Sequence, residues 1–262
     1  MENKFRTAVI LCGGKGTRLG AIGKKIPKTL VSVQKKKIIW YIISILRINN
    51  FNHFILPIGY KGNFIKKFIY KEFGKNKDFL IDLVNTGVNS SISRRISKIK
   101  SLIKSDSFLL LNGDAIFDFN IDKIFSTHQK NNSCMTFISH SVKSNFGTIG
   151  FKHGKVYDFK RDAIYNAVKL KNIKDYIGYI YTGMSIINKE VIKKDFSNYT
   201  NFEKELYPWI IKNFKCSISH LDGFWHAIDN VKDIDAVNED KNYMFFQVKK
   251  ILNKVNSFYD KL

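Results

Sequence analysis

The sequence predicts an α/β fold in which a mixed, mainly parallel sheet is flanked by helices. Three observations carry this expectation. Strand-like and helix-like segments alternate through residue 130, the pattern of parallel strands joined by helical crossovers. A glycine-rich turn, Cys12-Gly13-Gly14-Lys15-Gly16, directly follows the first strand-like run. The chain has 262 residues, 44% of them hydrophobic, with three prolines and 16 glycines, which excludes collagen-like and low-complexity architectures. A chain of this length buries roughly 70–75% of its unfolded surface, so its core needs no disulfide or metal staple.

The elements follow in order. Residues 6–11 form a short apolar strand that stops at the glycines. Residues 38–48 have helical spacing without glycine or proline. Residues 53–58 read as a strand, 63–73 as a helix and 79–84 as a strand. Residues 93–103 read as a basic helix, 107–111 as a strand and 122–130 as a helix. After Asn132 the character changes. Residues 134–139, 147–152, 155–159 and 179–187 read as strands with few helices between them, and residues 202–214 and 237–253 as helices. With no linker and no internal repeat, the chain reads as a single domain over residues 1–262. Residues 1–132 form a nucleotide-type half. Residues 133–262 form a second half that extends the sheet and ends in a C-terminal helix.

The formal net charge is +22, which attracts polyanions such as nucleic acid, anionic membranes or phosphorylated small molecules. The composition is also rich in Lys, Ile, Asn and Phe, so the placement of charge is more informative than its sum. Residues 4–71 hold 15 Lys or Arg and no acid, with Glu2 and Glu72 on either side. Such a block, folded with glycine turns, suits phosphate. Cys12, Cys134 and Cys216 are odd in number, far apart and match no zinc spacing; they read as buried small hydrophobes. No apolar run approaches the roughly 20 residues of a membrane span. The N-terminus has no apolar signal region. The expectation is a cytoplasmic protein with no membrane partner.

The glycine loop runs Cys12-Gly13-Gly14-Lys15-Gly16-Thr17-Arg18-Leu19-Gly20. Glycines after a first strand let backbone N–H groups approach a phosphate. The order does not fit a Walker loop, which needs Gly-Lys-Ser/Thr after four intervening residues. Nor does it fit a dinucleotide loop. That loop wants glycine where Leu19 stands and an acid about 20 residues on, where this chain has none. What remains is Gly-Gly-x-Gly-Thr-Arg, followed ten residues after Arg18 by Pro27-Lys28.

On these residues the chain resembles the nucleotidyltransferases that make activated sugars and alcohols from nucleoside triphosphates, which have a Rossmann-like fold. The resemblance continues through Gly59-Tyr60-Lys61-Gly62, Asn85-Thr86-Gly87, Arg94-Arg95-Ile96, Asn112-Gly113-Asp114 and Phe224-Trp225-His226-Ala227-Ile228-Asp229. It points to the cytidylyltransferase branch. The resemblance implies that Leu11, Cys12, Gly13, Gly14, Gly16, Thr17, Thr86, Gly87, Asn112 and Gly113 bind the nucleotide, here CTP. It implies that Arg18 holds the β- and γ-phosphates of the leaving pyrophosphate and Lys28 contacts the α-phosphate. It also implies that Asp114 and Asp229 hold Mg2+, a hard ion suited to carboxylates and phosphate oxygens. Asp118, Asp222 and Asp233 read as surface or capping residues, and His226 as a packing residue.

The acceptor side departs from the sugar-activating relatives. Their Phe-x-Glu-Lys-Pro segment supplies a lysine for the acceptor phosphate. Here Phe159 is followed by Lys160-Arg161-Asp162-Ala163. Lys160 or Arg161 is left as the candidate cation. Their Asn-Gly/Ala-Gly turn is replaced by Tyr181-Thr182-Gly183, which leaves Tyr181 as an acceptor-side candidate. Both changes fall on the acceptor, so the resemblance implies a phosphorylated small molecule other than a hexose 1-phosphate. L-Glutamine phosphate of capsular phosphoramidate synthesis is the first reading, and glucose 1-phosphate the second. Phosphocholine is the third, with Tyr157, Tyr165, Tyr176, Tyr179 and Tyr181 as candidates for an aromatic cage.

The chemistry needs no protein base, because a phosphate monoester, with a second pKa of about 6, is already ionised at neutral pH. A basic nucleic-acid-binding protein is the non-enzymatic alternative. No helix-turn-helix, zinc or aromatic ribonucleoprotein motif supports it, and no nucleic-acid partner is expected. The oligomeric state stays open, since the apolar C-terminal helix over residues 243–252 can pack on the body or on another chain.

Overall fold

The computed structural model describes residues 5–144, 147–161, 163–169 and 177–261. Seven strands form one sheet in the order Cys216–His220, Met135–Ser139, Tyr181–Asn188, Ser107–Asn112, Thr7–Leu11, His53–Ile58, Leu80–Asn85. Six are mutually parallel, and Tyr181–Asn188 is antiparallel to both its neighbours. The fold is therefore the mixed, mainly parallel α/β class the sequence predicts.

The first strand lies near the middle, and Ala8, Val9 and Ile10 are fully buried. A strand covered on both faces reads as a continuous apolar run, which is what residues 8–10 provide. Its side chains alternate between two cores. Ala8 and Ile10 join the core beneath the helix Ile38–Ile48, while Val9 joins the one beneath Ile92–Ile99 and Tyr207–Asn213. The helix Ile38–Ile48 is buried continuously from Ile38 to Leu46. That fits an element apolar all round rather than on one stripe. Its outer side is covered by the C-terminal helix Tyr243–Tyr259, whose Val248, Ile251 and Val255 are buried. Tyr259 closes the contact, its hydroxyl 3.2 Å from Ser44 Oγ and its ring 6.3 Å from that of Trp40. The C-terminal helix thus packs on its own body.

Pro57 shapes the sheet beside the glycine loop. Pairing of His53–Ile58 with the first strand stops at Val9 and Ile55. Pro57 has no N–H to donate there, so the ladder with the first strand does not run on through it. On the other side, pairing with Leu80–Asn85 continues to Ile58 and Asn85.

The structure differs from expectation in four places. Residues 115–119, 216–220 and 223–227 are strands that the sequence reading did not separate out. Ala115–Phe119 and Gly223–Ala227 pair antiparallel, apart from the main sheet. The helix expected over residues 237–253 is two helices, Val231–Asn238 and Tyr243–Tyr259. Asn242 caps the second through its side chain, so the break needs neither glycine nor proline. The expected strands over 147–152 and 155–159 form a hairpin, Thr148–Lys152 with Lys155–Lys160. Positive φ at His153 and Gly154 suits its tight turn. Of the cysteines, Cys12 is buried, whereas Cys134 and Cys216 are half-buried. Among the described residues no helix is long and apolar enough to cross a membrane.

Candidate active site

The glycine loop leaves the first strand at Leu11 and crosses its carboxyl end. The amides of Gly13, Gly14, Lys15 and Gly16 donate to no acceptor among the described residues, which leaves them free for an anion. Gly16 has φ 61° and so tolerates the left-handed turn that starts the short 3₁₀ helix Thr17–Leu19. Leu19 is buried and anchors that helix, while Arg18 projects outward with 77% of its side chain exposed.

Pro27 enters the next 3₁₀ turn, Lys28–Leu30, at φ −60°, and the Leu30 amide donates to its carbonyl at 2.9 Å. Thr29 and Leu30 are buried, so the turn that carries Lys28 is anchored from below. Lys61 fixes the segment before it by donating to the carbonyls of Lys24 and Lys25.

Asp114 and Asp229 are far apart in sequence but meet through the antiparallel pair that connects them. Ala115 lies opposite Ala227, and the Ile228 amide donates to the Asp114 carbonyl at 2.9 Å. Behind Asp229, Asn230 and Asp233 form a reciprocal capping box at the start of Val231–Asn238. Asp233 also accepts from the Asp229 amide at 2.7 Å. The expected capping role of Asp233 is thus borne out.

Four charged side chains converge. Lys28 Nζ donates to Asp114 Oδ2 at 2.7 Å and to Asp229 Oδ1 at 2.6 Å. Arg18 Nη1 stands 3.0 Å from the same Asp229 oxygen. Burial acts to raise the Asp229 carboxyl. The bond and charge of Lys28, with the charge of Arg18, outweigh it and hold the group below its ordinary value. Two carboxylate oxygens therefore face one cationic point. Among the described residues no cluster of three or more His, Cys, Asp or Glu forms. A two-carboxylate set leaves the other positions to water and phosphate oxygens. That suits Mg2+, which binds through one or two carboxylates, and not a closed zinc cage.

The cleft around this junction has a volume of about 890 Å³. Its lining includes all of Leu11–Leu19, together with Lys28, Asn112, Gly113, Asp114 and Asp229. Of the residues assigned to the nucleotide, Thr86 and Gly87 do not line it. Thr86 is buried and its hydroxyl donates to the Ile58 carbonyl at 2.9 Å. The walls are formed instead by Val88–Ile92 with Arg94, and by Thr200–Glu203.

Arg95, within a segment the resemblance takes in but not among the expected site residues, also lines the cleft. It is 5% exposed and pairs with no carboxylate among the described residues. Its guanidinium donates to the Gly13 carbonyl at 3.0 Å and to Thr86 Oγ1 at 2.6 Å. It thus ties the glycine loop to two strand ends. A Cβ at Gly13 would lie 2.0 Å from Arg95 Nη1, so a larger residue there requires the guanidinium to shift. A signal was present in the sequence: Arg95 is three residues after Ile92 and four before Ile99, on the apolar face of its helix. Burial pushes the Cys12 thiol up, with Asp114 adding to the effect and Arg95 opposing it, so this cysteine is not a nucleophile. Burial likewise lowers His226, consistent with packing.

The acceptor-side candidates lie elsewhere. Lys160 is exposed at the end of the hairpin, 3.3 Å from Asp158, and Arg161 follows it; neither lines the cleft. The Tyr181 hydroxyl is committed to Tyr207 at 2.6 Å and Ser185 at 2.9 Å. Of the other tyrosines, Tyr157 is exposed on the hairpin and Tyr165 meets Thr148 Oγ1 at 2.7 Å. Tyr179 and Tyr181 line a separate apolar recess. Asp162 and Tyr176 lie outside the described residues.

This chain is 30% identical over 253 residues to the "Probable glucose-1-phosphate cytidylyltransferase" of Bacillus subtilis, covering 88% of this chain and 94% of that one. It is 25% identical over 246 residues to the glucose-1-phosphate cytidylyltransferase of Salmonella typhimurium, covering 86% and 92%. Among solved structures, its fold is similar to HddC from Yersinia pseudotuberculosis, with TM-score 0.63 and 20% identity over 87% of this chain and 96% of that one. It is also similar to the inositol-1-phosphate CTP transferase from T. maritima, with TM-score 0.65 and 16% identity over 97% and 98%. The family described as Nucleotidyl transferase matches residues 7–234, which takes in the loop, both cations and both carboxylates. The chain is an enzyme of the nucleotidyl transferase family.

Proposed function

We propose that this enzyme transfers CMP from CTP to a phosphorylated small molecule and releases pyrophosphate. The observation that carries the reading is the junction of Arg18, Lys28, Asp114 and Asp229 at the mouth of the glycine loop. The cleft, at about 890 Å³, has room for a nucleotide and part of an acceptor. CTP as the donor is supported by the B. subtilis and S. typhimurium relatives, both of which carry the name cytidylyltransferase.

In this reading an acceptor phosphate oxygen attacks the α-phosphorus of CTP. The α-phosphorus–oxygen bond to pyrophosphate breaks, and the pyrophosphate carries away the bonding pair. The nucleophile is already ionised, so no side chain has to remove a proton. The protein's task is to hold two polyanions in line and offset their repulsion. The free loop amides bind phosphate oxygens, Arg18 takes the leaving pyrophosphate and Lys28 the α-phosphate. Asp114 and Asp229 would hold Mg2+, which when bound supplies further positive charge against the triphosphate.

Two acceptor readings each have their own support. L-Glutamine phosphate is favoured by the replaced sugar contacts. Tyr181, which stands where the sugar enzymes carry Asn, has its hydroxyl engaged by Tyr207 at 2.6 Å and Ser185 at 2.9 Å. Glucose 1-phosphate is favoured by the names of the two relatives. Pyrophosphate release with Mg2+, measured for four NTPs against L-glutamine phosphate, glucose 1-phosphate and phosphocholine, separates them. Release with CTP and one acceptor assigns it. Release without dependence on any phosphorylated acceptor refutes the proposal.

A further inference from the structure

Lys28 does more in this geometry than wait for the α-phosphate. Its ammonium is bonded to both carboxylates, at 2.7 and 2.6 Å, and only 15% of its side chain is exposed. Arg18 adds a second cation to Asp229. The four charges sum to zero, and they neutralise each other inside the site. A divalent ion that needs Asp114 Oδ2 and Asp229 Oδ1 has to take the place of the Lys28 ammonium. A triphosphate that needs Lys28 and Arg18 has to draw them off the same carboxylates.

We propose that Lys28 and Arg18 exchange partners between the carboxylate pair and the triphosphate, so that nucleotide and metal each promote binding of the other. The inference rests on the metal-ligand reading of Asp114 and Asp229. Nucleotide phosphates give Lys28 and Arg18 new anionic partners and release the carboxylates to the metal. The metal in turn gives the carboxylates a new cation and releases Lys28 and Arg18 to the phosphates. By linkage the two effects are equal in size, and couplings of this kind typically run from about 5-fold to 150-fold. The protein without nucleotide therefore binds a divalent ion weakly, although its carboxylates already converge. The ion pairs also keep Lys28 fixed by its two carboxylate bonds when no substrate is present.

The test measures Mn2+ binding to the full chain without nucleotide, by the electron-spin resonance of free Mn2+. Lys28→Met should bind Mn2+ at least about tenfold tighter than the unaltered protein, within the range of such couplings. Adding Asp114→Asn to Lys28→Met should abolish that gain. A second arm leaves Lys28 in place: with EDTA present, Asp114→Asn should bind CTP several-fold tighter than the unaltered protein. Unchanged Mn2+ affinity in a folded Lys28→Met, with turnover still lost in Asp114→Asn and Asp229→Asn, overturns the exchange and leaves the metal-ligand reading standing. If Mg2+-dependent turnover survives in both Asp variants, the metal-ligand reading falls and the exchange falls with it. If Lys28→Met does not fold, the EDTA arm decides: equal or weaker CTP binding by Asp114→Asn overturns the proposal.

Discussion

Gly13→Ala tests whether the buried Arg95 sets the shape of the glycine loop. A Cβ at position 13 would lie 2.0 Å from Arg95 Nη1 and 2.2 Å from its Cζ, whereas ordinary contacts begin at 3.4 Å. One partner must therefore move by about 1.4 Å, the difference between 3.4 and 2.0. A shift of that size breaks the guanidinium bonds to Gly13 and Thr86, now 3.0 and 2.6 Å. Hydrogen bonds to a charged group contribute about 1.5–3 kcal/mol each, and they are not additive here because one group makes both. A loss of about 3 kcal/mol is expected, or about 6–12 °C in Tm for a chain of this size. The assay is thermal unfolding of Gly13→Ala, Arg95→Met and the double variant, with CTP turnover alongside. In the Arg95→Met background Gly13→Ala should cost less, giving an interaction energy of about 1 kcal/mol or more. Equal costs in both backgrounds would refute the argument.

The remaining predictions concern the charged junction and the hairpin. Lys28→Ala and Arg18→Ala should each lower turnover by about a hundredfold or more, the scale of losing one charge-stabilising donor; near-normal steady-state rates in both would remove them from catalysis. Asp229 titrates below its ordinary value in the folded protein, so the unfolded chain binds more protons between the two values and stability rises with pH there. The stability advantage over Asp229→Asn should be full above the unfolded value of about 3.9 and fade as pH falls through the lower folded value; an advantage that grows on acidification would reverse the assignment. Lys160→Ala should leave KM for CTP unchanged, because Lys160 lies outside the cleft. A rise above about tenfold in KM for the acceptor alone, the scale of one lost charged contact, would show that the hairpin reaches the acceptor.

Features confined to a short stretch were legible in the sequence. The glycine loop, Pro27-Lys28 and the apolar strand at residues 6–11 each state their conformation within a few residues. Asp114 and Asp229 were placed by resemblance, and the antiparallel pair that joins them was not separated out. Its strand Gly223–Ala227 is only half-buried, and Cys216–His220 alternates small polar and apolar residues at a sheet edge, so neither gives the strong apolar run of residues 53–58. The wall at Thr200–Glu203 was missed because it belongs to the cleft through tertiary packing alone. Arg95 was missed because a basic helix hides one buried arginine beside the exposed Arg94 and Lys98. The break between Val231–Asn238 and Tyr243–Tyr259 carries no glycine or proline, only the cap at Asn242.

The central claim is that the junction of Arg18, Lys28, Asp114 and Asp229 moves CMP from CTP to a phosphorylated acceptor. Its most direct test is a single turnover with α-³²P-labelled CTP, Mg2+ and the acceptor, using protein in excess. The account predicts that label passes from CTP into a CMP–acceptor product, with one pyrophosphate released for each label transferred, and that Lys28→Ala abolishes both. Label recovered as free CMP, or pyrophosphate released equally without acceptor, would contradict it.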